Sequence, residues 1–149
     1  MGREVRKVPA NWEHPRDNRG RYIPLHNNFR GALNSFKEDI EKMGLEKAID
    51  YHGGGPIKED YMPDWPETEC SYLMMYEDCS EGTPISPAFK TPEELARWLV
   101  ENNVSAFGDM TATYEEWLRT CIGRYAPSAY MDNSGIHPGV CLPDSERKI

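Results

Sequence analysis

At 149 residues the chain has the length of one ordinary domain, enough to bury a single core. Only 38% of it is apolar, Gly and Pro supply 12 residues each, and the formal net charge is −8, so a modest core with long irregular segments is expected. No apolar run approaches membrane-spanning length, which excludes a helical membrane protein.

The opening residues, Met1-Gly-Arg-Glu-Val-Arg-Lys7, lack the apolar centre of a signal peptide, so the expected location is the cytoplasm. Arg-Glu-Val-Arg after Met1-Gly2 also departs from a myristoylation start. Charge is distributed unevenly. Residues 1–30 carry seven Arg or Lys against three acids, whereas the remaining residues carry 10 bases and 22 acids. A basic arm is thus joined to an acidic body, whose field repels nucleic-acid phosphates and attracts basic surfaces.

Residues 1–26 read as an extended basic arm broken by Pro9, Pro15 and Pro24, with a polar turn at Arg16-Asp-Asn-Arg-Gly20. Trp12, Tyr22 and Ile23 are its expected anchors on the body, with the arginines meeting acids there. The competing reading, an arm that touches nucleic acid, has a weak footprint because acids offset its bases.

Residues 27–56 form a helical segment and a Gly-rich linker. Phe29, Leu33, Phe36, Ile40 and Met43 repeat at helical spacing over 28–43, which predicts a helix packed by one face. Gly44 breaks it, and Leu45–Tyr51 adds further turns. The triplet in His52-Gly-Gly-Gly-Pro56 lacks the Lys-Ser/Thr of a phosphate loop and reads as a linker.

Residues 57–142 should hold the α+β core. From Lys58 to Glu81 there are eight acids and one base. Such a run is ordinarily a solvated face, but here it is interleaved with aromatic residues. The candidate partner-binding residues are therefore Glu59, Asp60, Tyr61, Asp64, Trp65, Glu67, Glu69, Glu77, Asp78 and Glu81, suited to a host or phage protein with a basic surface. Tyr72–Tyr76 predicts a buried strand. Pro84 and Pro87 rule a turn or extended segment over 82–88. Thr91-Pro-Glu-Glu94 starts a helix over 91–102, with Leu95, Trp98 and Leu99 on one face. Thr113 with Glu116 starts another over 113–123, bearing Tyr114, Trp117, Leu118, Cys121 and Ile122. Ser128–Met131, a turn at 132–135 and a return near Val140–Leu142 complete a small sheet built from 71–78 and 128–142.

No catalytic constellation emerges. Cys79 or Ser80 can be paired with His137 only on paper, and the acid pairs Glu93/Glu94 and Glu115/Glu116 are explained by helix N-termini. Trp98 and Trp117 lie on core stripes. Cys70, Cys79, Cys121 and Cys141 contain no C-x-x-C pair, and a zinc site from Cys70, Cys79 and a distant histidine lacks ligand spacing. No cofactor or metal is expected.

The stretch Glu81-Gly-Thr-Pro-Ile-Ser-Pro-Ala-Phe-Lys-Thr-Pro-Glu-Glu-Leu-Ala-Arg-Trp-Leu99 resembles a family of small bacteriophage and prophage proteins. Ser105-Ala-Phe-Gly108, Thr113-Tyr-Glu-Glu-Trp-Leu118 and Ala126-Pro-Ser-Ala129 carry the same resemblance, as do Arg6-Lys-Val-Pro9 and Trp12-Glu-His-Pro15 at the start. It covers most of 70–131 and the first 26 residues. It implies a phage accessory protein acting in the bacterial cytoplasm, and it assigns no activity to any residue. The resulting expectation is a single α+β domain, a small sheet flanked by two or three amphipathic helices with an extended N-terminal arm. Its expected role is an acidic, non-enzymatic protein-binding module that inhibits a host-defence or DNA-binding factor. The alternative is a small nucleotide- or nucleic-acid-modifying enzyme with its site between the sheet and the Gly-rich segment.

Overall fold

Two strands that are remote in sequence form the centre of the molecule. Arg3–Val8 (β1) pairs antiparallel with Tyr72–Glu77 (β2) along its whole length, Val5 opposite Met75 and Arg6 opposite Met74. On its other side β1 meets the short strand Tyr125–Ala126 (β3), giving the order β2-β1-β3. The computed structural model describes residues 2–77 and 82–143, and the chain packs as two compact units, Met1–Ile23 with Trp65–Ile149, and Pro24–Asp64. The fold is α+β, as the sequence pattern predicts.

The two faces of this sheet are covered differently. Side chains alternate across a strand, so Val5 and Met75 share one face, and they join Leu95, Leu99, Trp117 and Ala126 in the core. The helices Pro92–Glu101 (α3) and Tyr114–Gly123 (α4) supply that layer. Both start as their sequences dictate. The Thr91 hydroxyl accepts from the Glu94 N–H, and at Thr113 the capping box closes in both directions with Glu116. Trp117 is fully buried, but its indole N–H has no partner among the described residues. An unsatisfied donor of this kind costs about 1–3 kcal/mol, which the buried ring offsets.

The opposite face, carrying Arg6, Val8, Met74 and Tyr76, is covered by residues 9–23. The sequence pattern therefore marks the arm correctly as extended and anchored, but its first residues belong to the sheet itself. Strand β1 is hard to recognise because it is charged. Arg3 and Arg6 are only 7% and 4% exposed. Arg3 donates to the Ser105 carbonyl at 2.9 Å and lies 4.0 Å from Glu77, while Arg6 pairs with Glu4 at 3.0 Å. These partners permit guanidinium groups to be buried where unpaired charge would be prohibitive.

The outer edge of β2 is closed by residues 83–89. Leu73 and Phe89 exchange backbone hydrogen bonds at 2.6 and 2.8 Å, and Ile85 N–H donates to the Met75 carbonyl at 2.7 Å. Between Pro84 and Pro87 the ladder is completed by a side chain. The buried Ser86 hydroxyl accepts from Met75 N–H at 2.9 Å and donates to the Pro87 carbonyl at 2.8 Å.

Residues 128–142 do not join this sheet, contrary to the expected pairing with 71–78. Ala129–Asp132 (β4) and Gly135–Pro138 (β5) form a separate hairpin. The return strand follows the turn at once, and Gly139–Cys141 is a 3-10 turn rather than a strand. The reason is local: Asp132 accepts from Ser134 N–H, and Gly135 takes φ 118° to close the turn.

In the second unit Phe29–Met43 (α1) and Leu45–His52 (α2) are separated by Gly44 at φ 87°. The first two glycines of the triplet end α2, with the N–H groups of Gly53 and Gly54 both donating to the Ile49 carbonyl. Among the described residues no helix is long and apolar enough to cross a membrane.

Replacing Ser86 by Ala leaves the buried Met75 N–H unsatisfied and should cost about 1–3 kcal/mol in urea unfolding. The exposed substitution Met131→Ala should fall within about 0.5 kcal/mol of wild type.

Candidate functional site

The arm is fastened to the back of the sheet at one oxygen. The Tyr76 hydroxyl lies 3.0 Å from Trp12 Nε1 and 2.9 Å from His14 Nδ1, and His14 Nε2 lies 2.5 Å from the Ile23 carbonyl. A carbonyl can only accept, so Nε2 carries the proton and Nδ1 accepts from the Tyr76 O–H. The Tyr76 oxygen then accepts from the Trp12 indole. Burial pushes the Tyr76 phenol up to about 12 and pulls His14 down, the Ile23 carbonyl opposing this and Arg6 adding to it. The Arg6 guanidinium stacks 4.2 Å from the centre of the Tyr76 ring, and Trp65 packs edge-on against Trp12 at 4.7 Å.

Between this anchored arm and the sheet lies a cavity of about 660 Å3, lined by Trp12, His14, Arg16, Tyr22, Met74 and Pro87 among others. A second hollow of about 350 Å3 shares Tyr22, Met74 and Pro87 with it and reaches Ile85 and Trp98. Together they form a groove of ligand size. Its walls combine the apolar and aromatic side chains of Trp12, Tyr22, Met74 and Pro87 with the polar ones of Glu13, His14 and Arg16. Both nitrogens of His14, the Tyr76 hydroxyl and the Ser86 hydroxyl already have protein partners, so none serves as base or nucleophile without breaking the fold.

Two other clusters resemble catalytic groups more closely. On the β4–β5 hairpin, Asp132 Oδ1 lies 2.6 Å from Ser134 Oγ and 2.8 Å from His137 Nε2, and Ser134 Oγ is also 2.8 Å from that nitrogen. These bonds draw Asp132 down to about 2, with Ser134 contributing most. A relay requires the acid and the nucleophile on opposite ring nitrogens. Here both meet Nε2, so the cluster braces a turn. In the other unit His52 Nε2 lies 2.6 Å from Asp39 Oδ2. His52 also lines a cavity of about 330 Å3 with His26, Ser35, Gly53, Asp60 and Tyr61. Ser35 makes no hydrogen bond to His52, and the Asp60 carboxylate opposes phosphate there.

The sequence-selected acidic residues are distributed over both units. Glu59, Asp60, Tyr61 and Asp64 belong to Pro24–Asp64; Trp65, Glu67, Glu69 and Glu77 belong to the other. Tyr61 packs on Phe29 and His26, Asp64 pairs with Arg30 at 2.6 Å, and Trp65 packs on Trp12. Glu77 is half-buried near Arg3, whereas Glu59, Glu67 and Glu69 are exposed. The two aromatic anchors thus face inward, each onto residues of its own unit. Asp78 and Glu81 lie outside the described residues, as do Cys79 and Ser80. Among the described residues no group of three or more His, Cys, Asp or Glu side chains gathers as a metal site. Cys121 is buried in the core, its thiol pushed up to about 12 by burial and by Glu93.

The groove itself is invisible to motif reading because its walls come from two distant stretches. The available signal was the cluster Trp12, His14, Tyr22 on an arm of otherwise polar character.

Tyr76→Phe should strand the Trp12 donor and the His14 acceptor and cost about 2–4 kcal/mol in chemical denaturation. His14 has its proton affinity lowered by folding from an ordinary value of 6.5. The unfolded chain then binds the proton more readily, so stability should be flat above that pH and decline as pH falls below it. Unfolding free energies between neutral and mildly acidic pH should show this slope in wild type and lose it in His14→Gln. No family model matches the sequence, and no curated protein and no solved structure matches it.

Proposed function

We propose that the protein is a phage accessory protein that binds a basic host or phage protein through its carboxylate-rich surface, without chemistry of its own. The reading rests on where the charges point. Arg3 and Arg6 are buried in β1, Arg21 pairs with Asp17, and Arg30 pairs with Asp64. Four of the seven basic residues in the first thirty positions are therefore matched to carboxylates of their own unit. Glu59, Glu67 and Glu69 remain exposed and enter no ion pair among the described residues. A surface of this sign steers basic partners and repels nucleic acid. The phage assignment draws its support from the sequence resemblance.

The enzymatic alternative has less support. In the groove beneath the arm His14, Tyr76 and Ser86 already have protein partners, and among the described residues the Asp39–His52 pair has no nucleophile within hydrogen-bond reach.

Capture of partners from bacterial lysate should recover a basic protein at about 0.1 M salt and lose it at about 1 M, where the screening length falls to about 3 Å. Glu67→Lys with Glu69→Lys should weaken that capture by about tenfold. Recovery of no partner at the lower salt, or capture indifferent to both salt and charge reversal, would overturn the assignment.

A further inference from the structure

Side chains alone fasten the arm to the back of the sheet. Among the described residues, the backbone hydrogen bonds of residues 9–23 all end within that stretch: Trp12 N–H on the Pro9 carbonyl, Asp17 on Arg21, Gly20 on Asp17 and Ile23 on Pro15. The polar ties that cross to the sheet are those of Trp12 and His14 to the Tyr76 hydroxyl. Strand β1, by contrast, is paired with β2 along its whole length up to Val8. Residues 9–23 can therefore part from the sheet without breaking a ladder, and such segments open at far lower cost than a core.

The fastening suits one protonation state of His14. Nε2 donates to the Ile23 carbonyl and Nδ1 accepts from Tyr76 O–H, whose oxygen accepts from Trp12. A second ring proton occupies Nδ1 and turns that acceptor into a donor. The Tyr76 oxygen then faces two donors, and its own proton has no acceptor among the described residues. Nothing around the ring compensates a buried cation. From β1 comes the Arg6 guanidinium, 4.2 Å from the centre of the Tyr76 ring and paired with Glu4. From the arm come Trp12 and Tyr22, whose rings meet His14 edge-on. Glu13 and Arg16 line the same hollow with opposite charges, both exposed and screened by water, and Pro87 and Ala88 bring no charge. Burial lowers the proton affinity of the docked ring, the Ile23 carbonyl opposing this and Arg6 adding to it. In an open arm the ring is hydrated and returns to its ordinary 6.5.

We infer that residues 9–23 form a proton-operated strap: charging His14 lifts them from the sheet and bares Val8, Met74 and Tyr76, while β1, β2, α3 and α4 stay folded. The inference does not rest on the binding role above. Docked and open forms differ in their affinity for one proton, so the open fraction rises as pH falls below 6.5. The rise is up to about tenfold per pH unit, until the docked ring charges as well.

The test follows two indole N–H groups of the full chain by NMR exchange between about pH 7.5 and about pH 5. Trp12 is tied to Tyr76 across the strap, whereas Trp117 is fully buried in the core on the sheet's other face and reports whole-chain unfolding. After correction for free indole at each pH, Trp12 should be at least about tenfold less protected than Trp117. Its protection should fall by up to about tenfold per pH unit below 6.5. His14→Gln keeps a donor for Ile23 and an acceptor for Tyr76 but takes up no proton, so its Trp12 protection should stay level. Should this variant fail to fold, the wild-type His14 ring signals decide: their midpoint should lie below 6.5, and the fall in Trp12 protection should level off there. Equal exchange of the two indoles would mean that only whole-chain unfolding frees the arm, and would overturn the inference. So would wild-type Trp12 protection indifferent to pH, or a His14 midpoint at or above 6.5. An unchanged pH dependence in His14→Gln would overturn it too, by assigning the effect to His26, His52 or His137.

Discussion

The hydroxyl of Tyr76 is the point on which the back of the sheet depends. It donates to His14 and accepts from Trp12, and through His14 the tie continues to the Ile23 carbonyl. Residues 9–15 contain no helix or strand, and the backbone pairing of 15–23 is internal, Arg16 opposite Tyr22, so the arm is not held to the sheet by a ladder. What it has is a chain of donors and acceptors in which every member is satisfied, and a fully satisfied buried network fixes one conformation where a partly satisfied one would fix none. The same network forms one wall of the groove. Anchoring the arm and shaping the pocket are a single event.

Legibility in the sequence followed the kind of physics involved. Helices α3 and α4 were readable to within a residue because caps, first-turn acids and apolar spacing all agree at Thr91 and Thr113. β2 was readable as a continuous apolar run. β1 was not, because a strand whose charges are neutralised by Ser105, Glu77 and Glu4 has no periodic apolar signature; it was seen only as an extended arm. The mispairing of 128–142 followed from that omission. Without β1, the apolar strand at 72–77 had to find its partner later in the chain.

The candidate site was legible only in part. Counting carboxylates locates an acidic stretch, but it cannot show that Tyr61 and Trp65 turn inward, or that the stretch divides at Asp64 between two compact units. Aromatic residues beside acids look the same on paper whether they face solvent or a neighbouring ring. Conversely, the meeting of Trp12, Tyr22, Met74 and Pro87 depends on tertiary contacts between segments some fifty residues or more apart, which no local pattern encodes.

The strap over 83–89 has a further consequence. An exposed outer strand is a template on which identical chains can stack, and β2 is the most apolar strand of the fold. With that margin occupied by a segment carrying two prolines and a serine hydroxyl in place of a regular ladder, the template is closed from within the same molecule. At the opposite margin β3 offers only two residues, too short for an incoming strand to register. A protein this rich in irregular backbone in this way covers or shortens both margins of its three-stranded sheet.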